Sequence, residues 1–476
     1  MSVSTVTALA VDLGSSSGRV IAGTFRDDRI EEVEVRRFPH EARLVSGDDG
    51  TEYLSWDLEF IWQEIVAGLR EAVAQFPDAV SVSVDTWGVD YVPLDADGQP
   101  LTPGRAYRDE RTIRTHDAFR ERLSDEALWA ATGIAPATIN TANQLFAYLQ
   151  EEPQLAAQTA QILLLPDYFT YLLSGERGWS RSHASSSALI KPGAHEFSAD
   201  VFEALGIPRS WVGDITAEHT VAGPCIIEGL EQLTVVRAGA HDTACAVHAL
   251  QRDVSQESYF LSCGSWSVLG VLRDEPLLSD DARALGLTNE ATADGGLRPL
   301  FNITGLWILQ ELQRDWEAQG RTHGIVELIR LAEASPSTGA TINPDEPQFA
   351  LPFEMEKRVL AALDAQGVDT EGLDEGAITR IVLESFAARY ARGIADLAAL
   401  TDAPAQQLNL VGGGSRNKLL CQLTADALGV PVVAGPVEAS VLGSLLAQLE
   451  IMGHLDPADR NAVIGSTART EVFEPR

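Results

Sequence analysis

The sequence predicts an α/β fold made of two similar lobes, each a mixed β-sheet flanked by helices. The chain has 476 residues, more than a single hydrophobic core usually contains. Three apolar segments at the N-terminus are followed by an alternation of helix and strand patterns, and a similar order recurs in the second half. We therefore predict an N-terminal lobe at residues 1–250 and a C-terminal lobe at residues 251–476.

In the N-terminal lobe, three strands joined by short turns are predicted to form an antiparallel meander, because polar or glycine-containing turns separate apolar segments of strand length. A helix follows, since apolar residues recur at helical spacing from Leu58 to Val73, and Ser55 is predicted to cap it. The next strand alternates valine with serine. The predicted strands are Thr7–Leu13, Gly18–Phe25, Ile30–Phe38 and Val80–Val84.

In the C-terminal lobe, residues of strand composition surround a tight turn at Cys263–Ser265. Helix and strand patterns then alternate, as they do in the first half, which favours a mixed sheet covered on both faces. The predicted elements are a hairpin at Ser258–Leu272, helices at Ala377–Leu400, Arg416–Leu428 and Glu438–Leu449, and strands at Leu408–Val411 and Val430–Ala434.

The charge of the chain excludes several classes of partner. There are 69 acidic and 35 basic residues, which gives a net charge of −34. Such a surface repels phosphate backbones and anionic lipids, so we predict neither a nucleic acid nor a membrane partner. The sequence holds only three lysines, and none follows the G-x-x-x-x-G-K-[ST] pattern, which excludes a P-loop.

The cysteines and the apolar segments indicate the compartment. Four cysteines occur without Cys-x-x-Cys spacing, which argues against a disulfide framework or a zinc ribbon and fits a reducing environment. No basic segment precedes the first apolar stretch, and no run of 18 apolar residues is present. We predict a cytoplasmic protein.

The first motif lies at the end of the first predicted strand. Asp12 is followed by a turn of glycines and serines, Gly14–Gly18, and then by Arg19. Small residues let backbone N–H groups surround an anion, and a carboxylate at the strand end is suited to hold Mg²⁺ beside it. The motif favours a phosphate-binding hairpin, although a plain glycine-rich turn explains the same residues.

Two later turns have a related composition. Ser262–Ser267 forms a small-residue turn at the start of the second half, where a repeated phosphate hairpin would lie. Gly412–Gly414 ends a predicted strand and opens a helix, so its backbone is free to approach a nucleotide closely. The three turns in this order are far more specific than any one of them.

This set of turns resembles the nucleotide-binding set of the actin, heat-shock chaperone and sugar kinase superfamily, which implies a two-lobed actin-like (ribonuclease H-like) ATPase fold. From Ala8 to Leu449 the chain resembles the FGGY carbohydrate kinases, and within them the members that act on L-rhamnulose. The stretches that carry the likeness are Val84–Asp95, Ala106–Thr112, Leu164–Gly175, His241–Val247, Asn302–Gln310 and Ala434–Gly443.

The resemblance implies an enzyme that transfers the ATP γ-phosphoryl group, with Mg²⁺, to the 1-hydroxyl of L-rhamnulose. On this interpretation Asp242 is the general base for the sugar hydroxyl, and His241 and Thr243 orient the ketose beside it. Asp12 and Asp242 are the residues expected to hold Mg²⁺. The other implied sugar contacts are Gly88, Asn302, Asp85 and Trp87, and the implied ATP contacts are Ser15, Ser16, Ser17, Gly18, Arg19, Ser265, Gln310, Gly413 and Asn417.

Other interpretations stay open at this stage. The same chemistry on L-fuculose or D-xylulose, and a non-enzymatic ATP-dependent switch on the same fold, are both compatible with the motifs. A monomer and a homodimer are equally compatible. His241, Cys245 and His248 fall on one helical face in a spacing that suits zinc, but the alanine-rich surroundings favour packing, and turn chemistry favours a structural role for Asp90.

Overall fold

The computed structural model describes residues 5–47, 50–252 and 257–476, and the chain divides into two compact units. Unit 1 comprises Met1–Gln251, Arg273–Pro299 and Ala439–Thr467, and unit 2 comprises Arg252–Leu272, Leu300–Glu438 and Ala468–Arg476. The boundary predicted near residue 250 lies beside the end of the first segment of unit 1. The second and third segments of unit 1 come from the part of the chain that was assigned to the C-terminal lobe.

The strands are short, and most of them belong to two large sheets. They are β1 (Val6–Leu13), β2 (Ser17–Arg26), β3 (Arg29–Pro39), β4 (Arg43–Ser46), β5 (Glu52–Trp56), β6 (Ala79–Thr86), β7 (Tyr91–Leu94), β8 (Gly104–Arg105), β9 (Gln161–Leu164), β10 (Trp179–Ser180), β11 (Ile215–Thr216), β12 (Thr220–Pro224), β13 (Thr234–Arg237), β14 (Ser258–Cys263), β15 (Trp266–Leu272), β16 (Thr288–Ala291), β17 (Leu297–Thr304), β18 (Leu408–Val411), β19 (Val432–Ala434) and β20 (Glu471–Phe473).

Helices connect and cover these strands. They are α1 (Leu58–Gln75), α2 (Arg111–Arg114), α3 (His116–Arg122), α4 (Asp125–Thr132), α5 (Thr141–Glu151), α6 (Pro153–Ala156), α7 (Leu165–Ser174), α8 (Arg181–Ala184), α9 (Ala199–Leu205), α10 (Asp242–His248), α11 (Asp280–Ala284), α12 (Trp307–Ala318), α13 (Ile325–Ala334), α14 (Met355–Asp364), α15 (Glu375–Thr401), α16 (Lys418–Leu428), α17 (Ala439–Ile451) and α18 (Arg460–Thr467).

The main sheet of unit 1 has the strand order β12-β13-β6-β1-β2-β3. Its strand β1 pairs antiparallel with β2 and parallel with β6. Every residue of β1 is buried, because an interior strand of a sheet covered on both faces has no solvent side. The predicted meander of the first three strands is confirmed.

The start of helix α1 differs from the prediction. Asp57, and not Ser55, caps the helix, since an Asp57 carboxylate oxygen accepts the backbone N–H of Phe60 at 2.9 Å. Ser55 belongs to strand β5, which pairs with β8, and its hydroxyl donates to the carbonyl of Gly104 at 3.0 Å. The strand continues closer to the helix than the sequence pattern indicates, so the cap moves two residues along the chain.

Helix α17 returns to unit 1 because it packs tightly on α10 and β1. A Cβ atom placed on Gly443 would lie 1.8 Å from the carbonyl oxygen of Cys245, so only glycine permits this helix approach. The Gln448 side chain bonds to the Leu9 carbonyl at 3.0 Å and to the Ser81 hydroxyl at 2.8 Å. These buried contacts hold α10, which carries the predicted base, against the centre of the sheet.

The strands of unit 2 follow the order β17-β15-β14-β18-β19-β20. Strand β14 pairs antiparallel with β15 and parallel with β18, so this sheet is mixed as well. The predicted hairpin and the later alternation of helices and strands are confirmed in α15, β18, α16, β19 and α17. An α/β chain with a mixed sheet in each unit is therefore the observed class.

The thiols of the described residues are buried, as are most of the large apolar side chains. No helix there combines the length and the apolar character that crossing a membrane requires. All four cysteines are buried free thiols. Burial raises the pKa of the Cys263 thiol to about 11, which is typical of a packing cysteine and not of a nucleophile.

Candidate active site

Two aspartates lie at the carboxyl ends of neighbouring strands in unit 1. Asp12 is the next-to-last residue of β1, and Asp85 holds the same place in β6. The strands are parallel, and the two residues are directly paired in their register. Since parallel strands end at the same edge of a sheet, the pairing brings both carboxylates to one edge, where open α/β sheets bind ligands.

Asp12 is anchored by its neighbours. Arg19 lies opposite it in the antiparallel pairing of β1 with β2, and the Arg19 guanidinium forms an ion pair with Asp12 Oδ2. The Ser440 hydroxyl donates to the same oxygen at 3.3 Å. The Asp12 carboxylate is thus held in one orientation at the base of the glycine- and serine-rich turn.

Asp85 is fully buried, and neither of its carboxylate oxygens has a hydrogen-bond partner among the described residues. Burial raises the pKa of Asp85 well above its usual range, and the charges of Asp12 and Asp242 raise it further. Asp12 and Asp85 are therefore adjacent, and the charges of Arg19 and Asp242 also act on Asp85. A donor set of carboxylate oxygens with surplus negative charge fits a hard divalent cation such as Mg²⁺.

Asp242 is the first residue of helix α10, and its Oδ1 oxygen is held by three groups. His241 Nδ1 lies 2.8 Å away, the Thr243 backbone N–H 2.5 Å and the Thr243 hydroxyl 3.1 Å. Oδ2 takes part in none of these bonds, and the side chain is about one-third exposed. Burial raises the pKa of Asp242, but the His241 and Thr243 contacts outweigh it and leave the pKa below its usual value.

The Nε2 atom of His241 has two close neighbours. A Cβ atom on Gly88 would lie 2.8 Å from His241 Nε2, so glycine leaves the space that the ring occupies. Glu290 Oε2 lies 4.0 Å from Nε2 and forms an ion pair with the buried Arg298 at 2.7 Å. The sequence prediction found Gly88 but missed Glu290 and Arg298, which no local pattern links to a histidine about 50 residues earlier.

Trp87 is buried and belongs to an aromatic group. The Trp56 and Trp87 rings lie 4.5 Å apart, and the His40 ring is 5.3 Å from Trp87. Both indole N–H groups donate to Asp90 Oδ2 at 2.7 Å. The predicted structural role of Asp90 is confirmed, although it serves two indoles and not the backbone N–H groups expected of a turn aspartate.

The first predicted phosphate hairpin forms the turn between β1 and β2. Ser15 is partly exposed and Ser16 is exposed, while the Gly14 N–H closes the turn on the Ser17 carbonyl at 3.1 Å. Gly18 is a packing residue, because a Cβ there would lie 2.3 Å from the Phe38 ring. Ser15 and Ser16 thus lie at the surface of a turn whose backbone is fixed by the Gly14–Ser17 hydrogen bond and by the packing of Gly18 on Phe38.

The second hairpin lies in unit 2, between β14 and β15. Ser265 and Gln310 were predicted separately as ATP contacts, and the structure brings them together, with the Ser265 hydroxyl 3.3 Å from Gln310 Oε1. The backbone of the loop before α12 holds the turn, since the Gly305 N–H donates to the Ser265 carbonyl at 3.1 Å. Asn302 is in unit 2 as well, with an exposed side chain on β17.

The glycine turn after β18 packs on the second hairpin within unit 2. A Cβ on Gly414 would lie 2.3 Å from Cys263 Sγ, whereas a Cβ on Gly413 would meet nothing within 4 Å. Gly413 is therefore the exposed glycine of the turn. Asn417 is buried and caps helix α16, with Oδ1 accepting the Leu420 N–H at 3.0 Å, so part of its predicted role is structural.

The helical face of α10 does not assemble the zinc ligands that its spacing allows. Cys245 Sγ donates to the Gly239 carbonyl at 3.3 Å, and His241 is bonded to Asp242. His248 lies with other partners at the end of the helix. The expectation that these residues serve packing is confirmed for Cys245.

Family models match nearly the whole chain. The N-terminal domain of the FGGY family of carbohydrate kinases matches residues 7–248, and the C-terminal domain matches residues 259–450. The chain belongs to the FGGY family of carbohydrate kinases. The predicted family and the predicted class of enzyme are thereby confirmed, and the hairpins and the Asp242 cluster described above lie inside the matched residues of this FGGY kinase.

Curated relatives of this FGGY kinase share about a third of its residues. It is 32% identical to the rhamnulokinase of Bacteroides thetaiotaomicron over 98% of this chain and 95% of that protein. It is 35% identical to the rhamnulokinase of Enterobacter sp. and 34% identical to that of Klebsiella pneumoniae, in each case over 98% of this chain and 94% of the relative. These alignments therefore cover nearly all of this chain and nearly all of each relative.

Solved structures support the fold of this FGGY kinase. A gluconate kinase from Lactobacillus acidophilus superposes with a TM-score of 0.78 at 14% identity, over 99% of this chain and 94% of the other. A xylulose kinase from Rhodospirillum rubrum superposes with a TM-score of 0.76 at 22% identity, with the same coverage. At this identity the likeness concerns the fold alone.

Proposed function

We propose that this FGGY kinase transfers the γ-phosphoryl group of ATP to the 1-hydroxyl of L-rhamnulose. The observation that carries the proposal is the Asp242 cluster: a carboxylate of lowered pKa with one oxygen held by two Thr243 donors and by His241 Nδ1, and the other oxygen left for an acceptor hydroxyl. The long alignments with three rhamnulokinases support L-rhamnulose over other ketoses. They also favour an enzyme over a non-enzymatic ATP switch.

In the proposed reaction Asp242 Oδ2 accepts the proton of the sugar hydroxyl as the hydroxyl oxygen bonds to the γ-phosphorus of ATP. The bond from that phosphorus to the β-phosphate oxygen breaks, and ADP leaves. Phosphoryl transfer depends mainly on alignment and on neutralising charge, so a carboxylate held in one orientation is what the acceptor requires. His241 and Thr243 fix that orientation through Oδ1. Because the pKa of Asp242 is lowered, the carboxylate is ionised throughout the neutral range.

For the sugar, we propose direct contacts from His241, Thr243, Gly88 and Asn302. Gly88 leaves room for the His241 ring, and His241 contacts the Asp242 carboxylate. In this proposal His241 therefore links the sugar-contacting residues of unit 1 to the base. Asp85 and Trp87 were also predicted as sugar contacts, but Asp85 is fully buried and the Trp87 indole N–H already donates to Asp90. We therefore propose that these two act beneath the sugar-contacting residues, Asp85 in the acidic cluster and Trp87 as a packing surface.

For ATP, we propose that the three small-residue turns contact the nucleotide. The serines of the first hairpin, with Gly18 and Arg19, would face the phosphates. Ser265 with Gln310, and Gly413 with Asn417, would contact the rest of the nucleotide. Asp12 and Asp242 would hold Mg²⁺, with Asp85 nearby, and the metal would supply neutralisation of phosphate charge. The cytoplasmic location and a monomer or homodimer remain predictions.

The decisive measurement is ADP release with a panel of ketoses. We expect L-rhamnulose to give a kcat/KM well above those for L-fuculose and D-xylulose. Phosphorus NMR should show that the product carries its phosphate at C1. A preference for another ketose would correct the substrate, and ATP binding without ketose-dependent ADP release would favour the switch.

A substitution tests the role of the base. We expect Asp242→Asn to abolish ketose phosphorylation while ATP binding, measured by calorimetry, stays close to that of the unchanged protein. Asp280→Asn is the matched control, because the Asp280 side chain is 97% exposed in helix α11. Turnover retained by Asp242→Asn would refute the assignment.

A further inference from the structure

Unit 1 contains a second group of metal-ligand side chains, outside the residues assigned to the kinase reaction. His219 lies just before β12, His248 is the last residue of α10, and Glu450 lies near the end of α17. Each offers one ligand atom, and these atoms all lie within 4.8 Å of one another. Among the described residues, no other group of three such side chains meets this criterion.

His248 has the orientation of a metal ligand. Its Nε2 lies 3.1 Å from Glu450 Oε2, while its Nδ1 faces Asp294 Oδ2 at 4.0 Å. The 3.1 Å contact is a hydrogen bond to a carboxylate, which can only accept, so Nε2 carries its proton in the metal-free protein. A metal ion would displace this proton, and Asp294 would then face an Nδ1–H, as a carboxylate does in most metal-bound histidines. The His248 side chain is only 3% exposed, so its orientation is fixed by packing.

Glu450 is held by the guanidinium group of Arg460. Arg460 donates to Glu450 Oε1 at 2.6 Å and to Oε2 at 3.1 Å. The same guanidinium lies 3.9 Å from Asp294. The carboxylates of Glu450 and Asp294 together with the Arg460 guanidinium have a net charge of minus one beside the two imidazoles. A bound cation would neutralise this charge.

His219 provides an unused ligand atom. Its Nε2 is buried and has no hydrogen-bond partner among the described residues, which is costly for a polar ring atom. The His219 ring centroid lies 4.7 Å from that of His248, with the ring planes at 86°. His219 also has a left-handed backbone, with φ of 57°, a region that histidine and asparagine enter more readily than most residues.

We propose that His219, His248 and Glu450 bind a divalent transition-metal ion of the zinc class. The ligands would be His219 Nε2, His248 Nε2 and Glu450 Oε2, with water in the fourth position. Ligand atoms about 2.0–2.1 Å from a tetrahedral ion lie about 3.3 Å apart, close to the 3.1 Å that already separates His248 from Glu450. The ion would join β12, α10 and α17 within unit 1.

The first test is Zn²⁺ titration of the full-length protein, prepared without a histidine tag and freed of metal by chelator. We expect one Zn²⁺ to bind per chain and to raise the Tm. An excess of Mg²⁺ should not displace it, because two imidazoles are poor ligands for a hard cation. Co²⁺ bound at the same site should show the visible absorption of a tetrahedral complex.

His219→Asn is the most informative variant, since asparagine tolerates the left-handed backbone but removes the imidazole. We expect its affinity for Zn²⁺ to fall at least tenfold, and that of Asp294→Asn to fall by about ten- to a hundredfold. The exposed His195 supplies the control, so His195→Asn should bind Zn²⁺ as the unchanged protein does.

Two results would overturn the proposal. One is the absence of saturable Zn²⁺ binding and of tetrahedral Co²⁺ absorption in the unchanged protein, a readout that does not depend on any variant folding. The other is equal Zn²⁺ affinity in His219→Asn and the unchanged protein, which would place the ion elsewhere, for example at the aspartates proposed for Mg²⁺.

Discussion

Adding one methyl group to Gly88 should slow the kinase by displacing His241. The new Cβ would lie 2.8 Å from His241 Nε2 and 3.5 Å from its Cδ2, whereas ordinary contacts begin at about 3.4 Å. The ring must therefore retreat by about 3.4 − 2.8 = 0.6 Å. A shift of that size is enough to weaken or break the 2.8 Å bond between His241 Nδ1 and Asp242 Oδ1.

The expected fall in kcat/KM follows from the free energy of the His241–Asp242 hydrogen bond. A hydrogen bond to a charged group contributes about 1.5–3 kcal/mol, and each 1.36 kcal/mol changes a rate about tenfold. We therefore expect kcat/KM of Gly88→Ala to fall by roughly 10- to 150-fold. Because the His241 contact helps to lower the pKa of Asp242, the acid limb of the kcat/KM profile should move to higher pH in the variant.

The assay is ketose-dependent ADP release across a pH series, with the Tm recorded for each protein. Gly324→Ala serves as the control, since a Cβ on Gly324 would meet nothing within 4 Å and its backbone is not left-handed. An unchanged kcat/KM and an unchanged acid limb in Gly88→Ala would refute the link between this glycine, His241 and Asp242. A fall in Tm alone would indicate a packing effect.

Two further substitutions test buried features. Burial raises the pKa of Asp90 to about 7, so the folded state binds its proton more tightly than the unfolded state, and stability is lost as pH rises from about 4 to about 7. Asp90→Asn should therefore be more stable than the unchanged protein, with a difference in the free energy of unfolding that grows from pH 5 to pH 8 and reaches about 4 kcal/mol. The measurement is the Tm of both proteins across this pH range, and a difference that does not change with pH would contradict the reasoning. Gly414→Ala should lower the stability by about 1–3 kcal/mol, because its Cβ meets Cys263 Sγ at 2.3 Å, while Gly413→Ala leaves the Tm of the nucleotide-free protein unchanged. Equal Tm values for the two alanine variants would argue against that packing.

Local patterns were sufficient for most elements that carry the motifs. The meander β1–β2–β3, the hairpin β14–β15 and the strand, glycine turn and helix around Gly412–Gly414 all follow from periodicity and turn residues within a few positions of one another. The exception at Asp57 is also local. Ser55 and Asp57, two positions apart, both suit a helix cap, and the pairing of β5 with β8 decides between them.

The sequence by itself determined the family, the turns and the candidate base, because each depends on residues that are close together in the chain. The tertiary structure alone decided which groups surround them. It paired Asp85 with Asp12, put Glu290 4.0 Å from His241, and returned α17 to unit 1. It also joined His248 to Glu450 across 202 positions of sequence. Such contacts depend on how helices and sheets pack, and side-chain periodicity reports which face of an element is buried but not what that face meets.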